Sequence, residues 1–376
     1  MTVTQERRNE CARKLLAAAE KARELTAFIG LDGFVDEILH VVDTRQDAEH
    51  YTRLARMEQW GKRIMDAADK STNIELVPQM VKLGGNGPIM ANALTSFGLK
   101  VSYLGILGHP SIHPVFDEFC KRAEVSSIAE PGYTYAVEFE NGKVMLGKHQ
   151  SLKEMNWRNI VERFGRDKFA ARFGSADLVG FVNWTMLTYM SDIWEAVLNE
   201  ICPGIDGRRR KLFIDLADPE KRTAKDIRRA LELIVRFEKY FDVTLGLNQK
   251  EAVEVGGRAL GLDVSDQSPE GLSRLGREIH SHVPVQAVVI HPVRYALAVS
   301  DGEVSITAGP VTDKPLITTG AGDHFNSGFC LGKLLGLDNL DCLLTGVTCS
   351  GFYVRNARSP SVTELAQMLQ DASIAY

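Results

Sequence analysis

Apolar positions along the chain follow two rhythms. Short continuous apolar runs occur at Ala27–Gly30, Val101–Leu107, Asp177–Val182, Leu212–Asp215, Val243–Leu247 and Ala287–Ile290. Between many of them, apolar residues recur at three- and four-residue spacing. That spacing predicts helices over 86–97, 190–200, 223–238, 248–256 and 268–280. A further surface helix is predicted over about 4–25, with Leu15, Leu16 and Ala19 at helical spacing. A strand that is apolar on both faces must be covered on both faces. Alternation of such strands with helices therefore predicts an α/β fold, with a mostly parallel sheet between two helical layers.

Two regions break the alternation. Tyr133–Gly147 places alternating residues on either side of Asn141-Gly142, and Asn-Gly is the dipeptide that accepts positive φ at both turn positions, so a hairpin is predicted. Phe34–Val42 and Ile74–Val81 are strand-like but have no helix at the right distance. Together these stretches, about 33–42, 73–82 and 132–149, predict a small second sheet lying over the active-site crevice as a lid. Leu54, Met57, Ile64 and Met65 within 43–71 predict an amphipathic helical insertion. It is expected as a surface helix, with a cover for the lid or a subunit contact as the alternatives.

No repeat, low-complexity tract or linker interrupts the 376 residues, so they are read as one main domain, 1–376. Acidic residues exceed basic ones by 49 to 44, without the basic stripe of a nucleic-acid binder. Arg208-Arg209-Arg210-Lys211 is expected as a solvated loop before a strand. No window is long and apolar enough for a membrane span, and residues 1–10 do not resemble a secretion signal, so a cytoplasmic location is expected. The six cysteines are scattered without a CxxC pair, which gives no framework for a disulfide core or a structural metal.

The chemistry is concentrated in four places. Ile317–Gly328 reads ITTGAGDHFNSG and runs directly into a helical pattern. A glycine turn at a helix N-terminus points backbone N–H groups at one spot, which suits the charge on a transferring phosphoryl group. Asp323, on the first turn, could then accept a proton from an attacking hydroxyl; the alternative is a tight turn with Asp323 as a cap. Leu83-Gly84-Gly85-Asn86-Gly87-Pro88 also opens a helix. Gly84 and Gly85 permit close approach of a ligand and Asn86 offers a donor and an acceptor, or Asn86 is only an N-cap. Asn248 and Glu251 share one helix face, which suits hydrated Mg²⁺ or a capping box. Asp32 and Asp36 follow the first strand at its carboxyl end, where open α/β sheets bind ligands, or they are solvated turn residues.

In this order, an aspartate-bearing first strand, GGN before a helix, a hairpin, N-x-x-E and TTGAGDHFNSG, the chain resembles the PfkB (ribokinase-like) carbohydrate kinases across residues 27 to 360. The resemblance implies a ribokinase-like three-layer α/β/α core with a small β-sheet lid, and ATP-dependent phosphorylation of a sugar hydroxyl. It implies Asp323 as catalytic base and the amides of Gly320, Ala321 and Gly322 as an anion hole. Asp32, Asp36, Gly84, Gly85 and Asn86 would contact a sugar-like small molecule. Asn248 and Glu251 would lie on the Mg²⁺–phosphate side, with Thr319 and Arg294 on the nucleotide. The assembly implied is a homodimer through the lid.

Two departures stand out. Ile317 replaces an aspartate that often serves a monovalent cation, and Ile290-His291-Pro292-Val293-Arg294-Tyr295 replaces a T-x-G-x-x-G turn at the nucleotide. Phe34, Trp184 and Tyr189 keep a nucleoside kinase as an alternative, and the altered 290–295 loop keeps a non-catalytic sugar- or nucleotide-binding protein. A nicotinamide oxidoreductase fares worse as a third reading, because GLDGFVDE after the first strand lacks G-x-G-x-x-G.

Overall fold

The computed structural model describes residues 3–376. The strands are, in chain order, β1 (Thr26–Gly30), β2 (Phe34–Arg45), β3 (Tyr51–Arg53), β4 (Leu76–Gly84) and β5 (Lys100–Gly105). They continue with β6 (Glu124–Ser127), β7 (Gly132–Phe139), β8 (Gly142–Lys148), β9 (Leu178–Phe181) and β10 (Arg210–Asp215). The last four are β11 (Phe241–Leu247), β12 (Ala287–Ile290), β13 (Tyr295–Ser300) and β14 (Glu303–Ala308).

Nine of them form one sheet in the order β14-β13-β12-β11-β10-β9-β1-β5-β6. Every pairing from β12 to β6 is parallel; β13 and β14 add an antiparallel hairpin at one end. All residues of β9 and β12 are buried, as strands covered on both faces must be. The predicted strand set lacks β6 and β14, whose half-exposed edge positions give a weak apolar signal, and β13, whose apolar run follows β12 too closely for a helix between them.

Helices cover both faces. On one side Arg166–Ser175 and Ala224–Phe237 bring Phe173 and Phe237 against Phe181 and Phe241 of the sheet; the Phe173 ring lies 5.9 Å from Phe181 and 5.1 Å from Phe241. On the other side lie Gln5–Ala17, Asn86–Ser96, Ala321–Leu335, Asn339–Asn356 and Val362–Gln370. The helix Ala321–Leu335 runs close against Asn339–Asn356, because side chains at Gly328 and Gly332 would collide with Thr345 and Cys342 of its neighbour. The N-terminal helix buries Arg8, Cys11, Ala12 and Leu15, whereas Leu16 points to solvent. Among the described residues no helix is long and apolar enough to cross a membrane.

The basic run 208–211 is not a free loop. It leads into β10, and each residue is paired: Arg208 with Asp177, Arg209 with Glu238 and Asp242, Arg210 with Asp206, and Lys211 with Asp242. The four cations neutralise carboxylates at the amino ends of the central strands.

The second sheet has the order β3-β2-β7-β8, with β4 on the other edge of β2. The stretch 43–71 departs from the expected helical insertion. β2 extends to Arg45 and pairs with β3, and the helix covers only Met57–Asp66. Ile64 and Met65 are exposed, while Met57 and Trp60 pack on Leu39, Val41, Leu54, Val137 and Phe139. The amphipathic helix is therefore present but shorter than expected, with Met57, Ile64 and Met65 on it and a short strand pair ahead of it.

Truncation of Phe173, which has no exposed surface, tests this packing. Phe173→Ala should lower the free energy of unfolding by about 3–5 kcal/mol through lost burial and the cavity left behind, read from urea titrations. A loss under about 1 kcal/mol would show that the ring layer does not anchor the sheet to its helices.

Candidate active site

The carboxyl ends of five neighbouring parallel strands each deliver a polar side chain to one crevice. Asp32 follows β1, Asn183 follows β9, Asp215 ends β10, Asn248 and Glu251 follow β11, and His291 follows β12. β1 is the switch point: the chain continues to β5 on one side and later returns to β9 on the other. In open parallel sheets, ligands bind at such a position.

Asp32 is fully buried and organises its surroundings. Its carboxylate accepts from the amides of Asn86 (3.0 Å) and Gly87 (2.9 Å) and from Asn183 Nδ2 (2.6 Å). It therefore caps the helix Asn86–Ser96 from another element. Gly85, not Asn86, is the N-cap; its φ of 94° requires glycine, and a Cβ would come within 3.0 Å of Asp32 Oδ2. Asn86 is thereby free to donate from Nδ2 to Asp323 Oδ1 at 2.9 Å. Two glycine motifs 237 residues apart meet through this bond.

Around Asp323 the expected anion loop forms with one change. Gly320 takes φ 97° as N-cap of Ala321–Leu335. The amide of Ala321 donates to Thr318 O at 3.1 Å and closes the turn. The amides of Gly320, Gly322 and Asp323 take no partner among the described residues, so the free donors are these three, and Ala321 leaves the set. His324 holds the loop: Nδ1 lies 2.7 Å from Gly320 O, Nε2 lies 2.9 Å from Ser359 Oγ, and the ring stacks on Tyr353 at 3.7 Å. Burial pushes its pKa down to about 4, so the ring is neutral. Tyr353 in turn donates to Thr319 O at 2.9 Å, and Lys143 from the β7–β8 hairpin donates to Thr319 Oγ1 at 2.5 Å.

Asp32, Asp215, Glu251 and Asp323 are buried, and none is paired with a lysine or arginine among the described residues. Burial raises the Asp323 pKa well above the usual range, and repulsion from Asp215, Asp32 and Glu251 adds to it. Asp32 is pushed up to about 6 by burial, against the pull of its hydrogen bonds. Burial also raises Asp215, and burial plus the Asp215 charge raises Glu251. Asn248 and Glu251 do form the capping box: Glu251 N donates to Asn248 Oδ1 at 3.0 Å and Asn248 N to Glu251 Oε2 at 2.7 Å. The same carboxylate also accepts from Asp218 N at 2.8 Å, so the box fixes a buried acid beside Asp215. Among the described residues no three or more His, Cys, Asp or Glu side chains converge as a metal cage.

The second sheet adds a charged face. In the paired row Lys82–Asp36–Thr134, burial raises the Asp36 pKa while Lys82 and Lys143 oppose it. Gly84 lies against Asp36, where a Cβ would stand 2.4 Å from its carboxyl carbon.

On the other side of the glycine loop opens a cleft of about 500 Å³, lined by Gly322, Phe325, His291, Pro310, Val347 and Val354 among others. Its largely apolar walls suit a nucleotide base, with the free amides at one end. Arg294 stands outside it: the side chain is exposed, and Pro292 and Val293 line the cleft instead. Trp184 is core, donating to Ser191 Oγ at 2.9 Å and lying under Arg222. Phe34 is buried against His149, and Tyr189 is exposed on the helix side.

The whole chain, residues 2–372, matches the prokaryotic ketohexokinase family. The chain belongs to that family. It is 28% identical over 338 residues to a ketohexokinase of Haloferax volcanii, covering 89% of this chain and 88% of the relative. Among solved structures it is similar to an Arabidopsis thaliana ribokinase complexed with ribose and ATP, with TM-score 0.64, 12% identity and 93% and 99% of the two chains covered. It is also similar to phosphofructokinase-2 of Escherichia coli, at TM-score 0.63, 13% identity and 92% and 98% coverage. At such identities these structures establish the ribokinase fold, and family membership makes the chain a carbohydrate kinase.

Asp215, Asn183, Asn326, Lys143 and His291 were not among the sequence-derived candidates. Asp215 had the signal already used for Asp32, an acid at the carboxyl end of an apolar strand. Asn183 and Asn326, which donate to Asp32 and Asp215 at 2.6 and 2.7 Å, carry none, because their meaning lies in which strand ends become neighbours.

The carboxyl cluster has a pH signature. Acids whose folded pKa is raised are neutral in the folded chain at pH values where the unfolded chain has already ionised. Stability is then full below the ordinary carboxylate range and is lost as pH rises. The ligand-free protein should lose melting temperature between about pH 5 and pH 8, and Glu251→Gln should flatten that slope. An unchanged slope would show that Glu251 carries no such penalty.

Proposed function

We propose that the chain transfers the γ-phosphoryl group of ATP, with Mg²⁺, to a hydroxyl of a ketohexose. The observation that carries this reading is the 2.9 Å bond between Asn86 and Asp323. It places the sugar-side glycine motif on the acid that heads the anion loop. Asp36 and Asn86, with the backbone at Gly84 and Gly85, present donors and acceptors to the sugar, and Asp32 holds Asn86 in position. Asp323 takes the proton from the attacking hydroxyl oxygen. That oxygen bonds to the γ-phosphorus as the bond to the β–γ bridging oxygen breaks. The amides of Gly320, Gly322 and Asp323 face the charge that develops.

The residues present fit both ligands. The apolar cleft beside the loop accommodates a purine, with Thr319 and Lys143 near its phosphate end. A hydrated Mg²⁺ would be held through water by Glu251, Asn248 and Asp215. In support, these acids lack a counter-cation and Asn326 Oδ1 is buried without a partner beside Asp215. The ion supplies charge neutralisation, which lowers the cost of ionising Asp323.

Release of ADP from Mg²⁺–ATP should depend on a ketohexose in a panel that also contains aldohexoses, polyols and nucleosides. Asp323→Asn should reduce kcat by a factor of about 10² or more while sugar binding persists. Near-normal turnover would remove Asp323 from the base role, and nucleoside-dependent release would replace the sugar.

The homodimer through the lid is proposed on the same footing. Met80, Ile38, Ala136 and Met145 form one cross-strand row on the face that carries Asp36, and Met80 and Met145 are 58% and 47% exposed. An exposed apolar sheet row of this kind marks a contact surface. Light scattering should give twice the 41.6 kDa chain mass, and Met80→Glu with Met145→Glu should return it to one; a monomeric wild type would end the proposal.

A further inference from the structure

One wall of the nucleotide cleft is a segment with almost no structure of its own. Between β14 and the glycine loop, Gly309, Pro310, Val311 and Thr312 line the cleft. Pro310 and Pro315 have no amide to donate. The segment starts from a bond of Gly309 N to Arg294 O at 2.9 Å. Among the described residues the only hydrogen bond within 309–316 runs from Lys314 N to Thr312 Oγ1 at 3.4 Å. A chain in this state pays its ordering entropy only if another element holds it.

The holding element is the last turn of the helix Asn339–Asn356. Arg355 Nη1 donates to Pro310 O at 2.8 Å and Nη2 to Val311 O at 2.9 Å, and Nη1 also reaches Gly351 O of its own helix at 2.9 Å. The guanidinium is half-buried, and among the described residues it bonds only to backbone carbonyls. Donation from a charged, planar fork is stronger than from a neutral group and fixes the direction of two successive carbonyls at once. Gly351 lets the segment close on the helix, since a Cβ there would stand 2.5 Å from Pro310 Cγ. The same turn reaches further along the chain. Val354 O accepts from Leu316 N at 2.8 Å, and Tyr353 donates to Thr319 O at 2.9 Å. One helical turn therefore fixes the cleft wall and the glycine loop relative to each other.

We propose that Arg355 is a positioning residue of the nucleotide site: by clamping the Pro310 and Val311 carbonyls it holds the cleft wall ready for the nucleotide, in register with the anion loop. The inference rests on the nucleotide reading of the cleft proposed above. Arg355 touches neither the sugar nor the reacting atoms. A wall ordered in advance need not be ordered on binding, so the contribution of Arg355 belongs in the affinity for the nucleotide and not in the affinity for the sugar.

The test uses the full-length protein with Arg355→Ala, which removes the clamp, and Arg355→Lys, which keeps the charge but loses the fork. Steady-state kinetics vary ATP at saturating sugar and then the sugar at saturating ATP. Arg355→Ala should raise the KM for ATP about tenfold, the scale of one charge-assisted hydrogen bond, with the KM for the sugar unchanged. Arg355→Lys should raise the KM for ATP by less. A wild-type KM for ATP in either variant overturns the inference. A parallel rise of both KM values overturns it as well, because it would mark a general loss of structure. Absence of any sugar-dependent ADP release in the wild type would instead sink the kinase reading. Should Arg355→Ala fail to fold, equilibrium binding of ADP to Arg355→Lys decides. Weaker ADP binding with sugar binding kept supports the clamp, and wild-type ADP affinity overturns it.

Discussion

Buried carboxyl groups without a counter-cation are the constraint on which the rest of this structure depends. Asp32, Asp215, Glu251 and Asp323 come from four elements and converge at the carboxyl edge of one sheet. Each is held by neutral donors: helix amides and Asn183 on Asp32, Asn326 and Ala217 N on Asp215, Asn248 N and Asp218 N on Glu251, and Asn86 on Asp323. Neutral donors satisfy the oxygen atoms but do not cancel the charge. Burial raises the pKa of all four, and neighbouring carboxylates add to the rise at Asp323 and Glu251, an arrangement that suits cation binding and proton acceptance.

The scaffold keeps other charges away from that edge. The dense basic run at 208–211 is consumed at the amino ends of β10 and β11 by Asp177, Asp206, Glu238 and Asp242. The amino edge of the sheet is thus neutralised by ion pairs, while the carboxyl edge is left with uncompensated acids. Of the cations near the site, Lys250 is taken up by Asp218 and Glu220, and Lys82 and Lys143 arrive from the second sheet. A separate element can supply positive charge when it covers the crevice, without neutralising the acids permanently.

Rigidity of the anion loop has a comparable origin. A turn with free amides is useful only if its carbonyls are fixed elsewhere. Here His324 holds the Gly320 carbonyl and Tyr353 the Thr319 carbonyl, while Ala321 gives up its own amide to close the turn. On the cleft side of the loop, His291 stacks on Phe325 of the same helix as a second pair. Both histidines are neutral through burial and so add no charge beside the glycine loop.

Much of this was legible in the sequence. Continuous apolar runs at β1, β5, β9, β10, β11 and β12 determined a buried parallel sheet, because a strand covered on both faces has no polar side. Asn141-Gly142 marked the hairpin, although the turn is made by Glu140 and Asn141 and only Gly142, at φ 146°, takes positive φ. TTGAGDHFNSG, GGN and N-x-x-E carried the family through their joint order, and the glycine turns suggested the chemistry because a helix start leaves amides that suit an anion. Tertiary structure alone decided the rest. The apolar positions of 43–71 were compatible with a long helix, and only the packed structure showed that the helix is confined to Met57–Asp66, with a short strand pair before it. N-x-x-E allowed a cap or a metal-side acid; the capping box formed, and burial beside Asp215 raised the pKa of the capped acid as well. Arg294 could face the nucleotide or solvent, and the turn out of β12 sent it outward and His291 inward. Local sequence sets backbone preference and chemical type over a few residues. Which strand ends become neighbours, and hence which polar atoms share a dry crevice, is a property of the packed sheet.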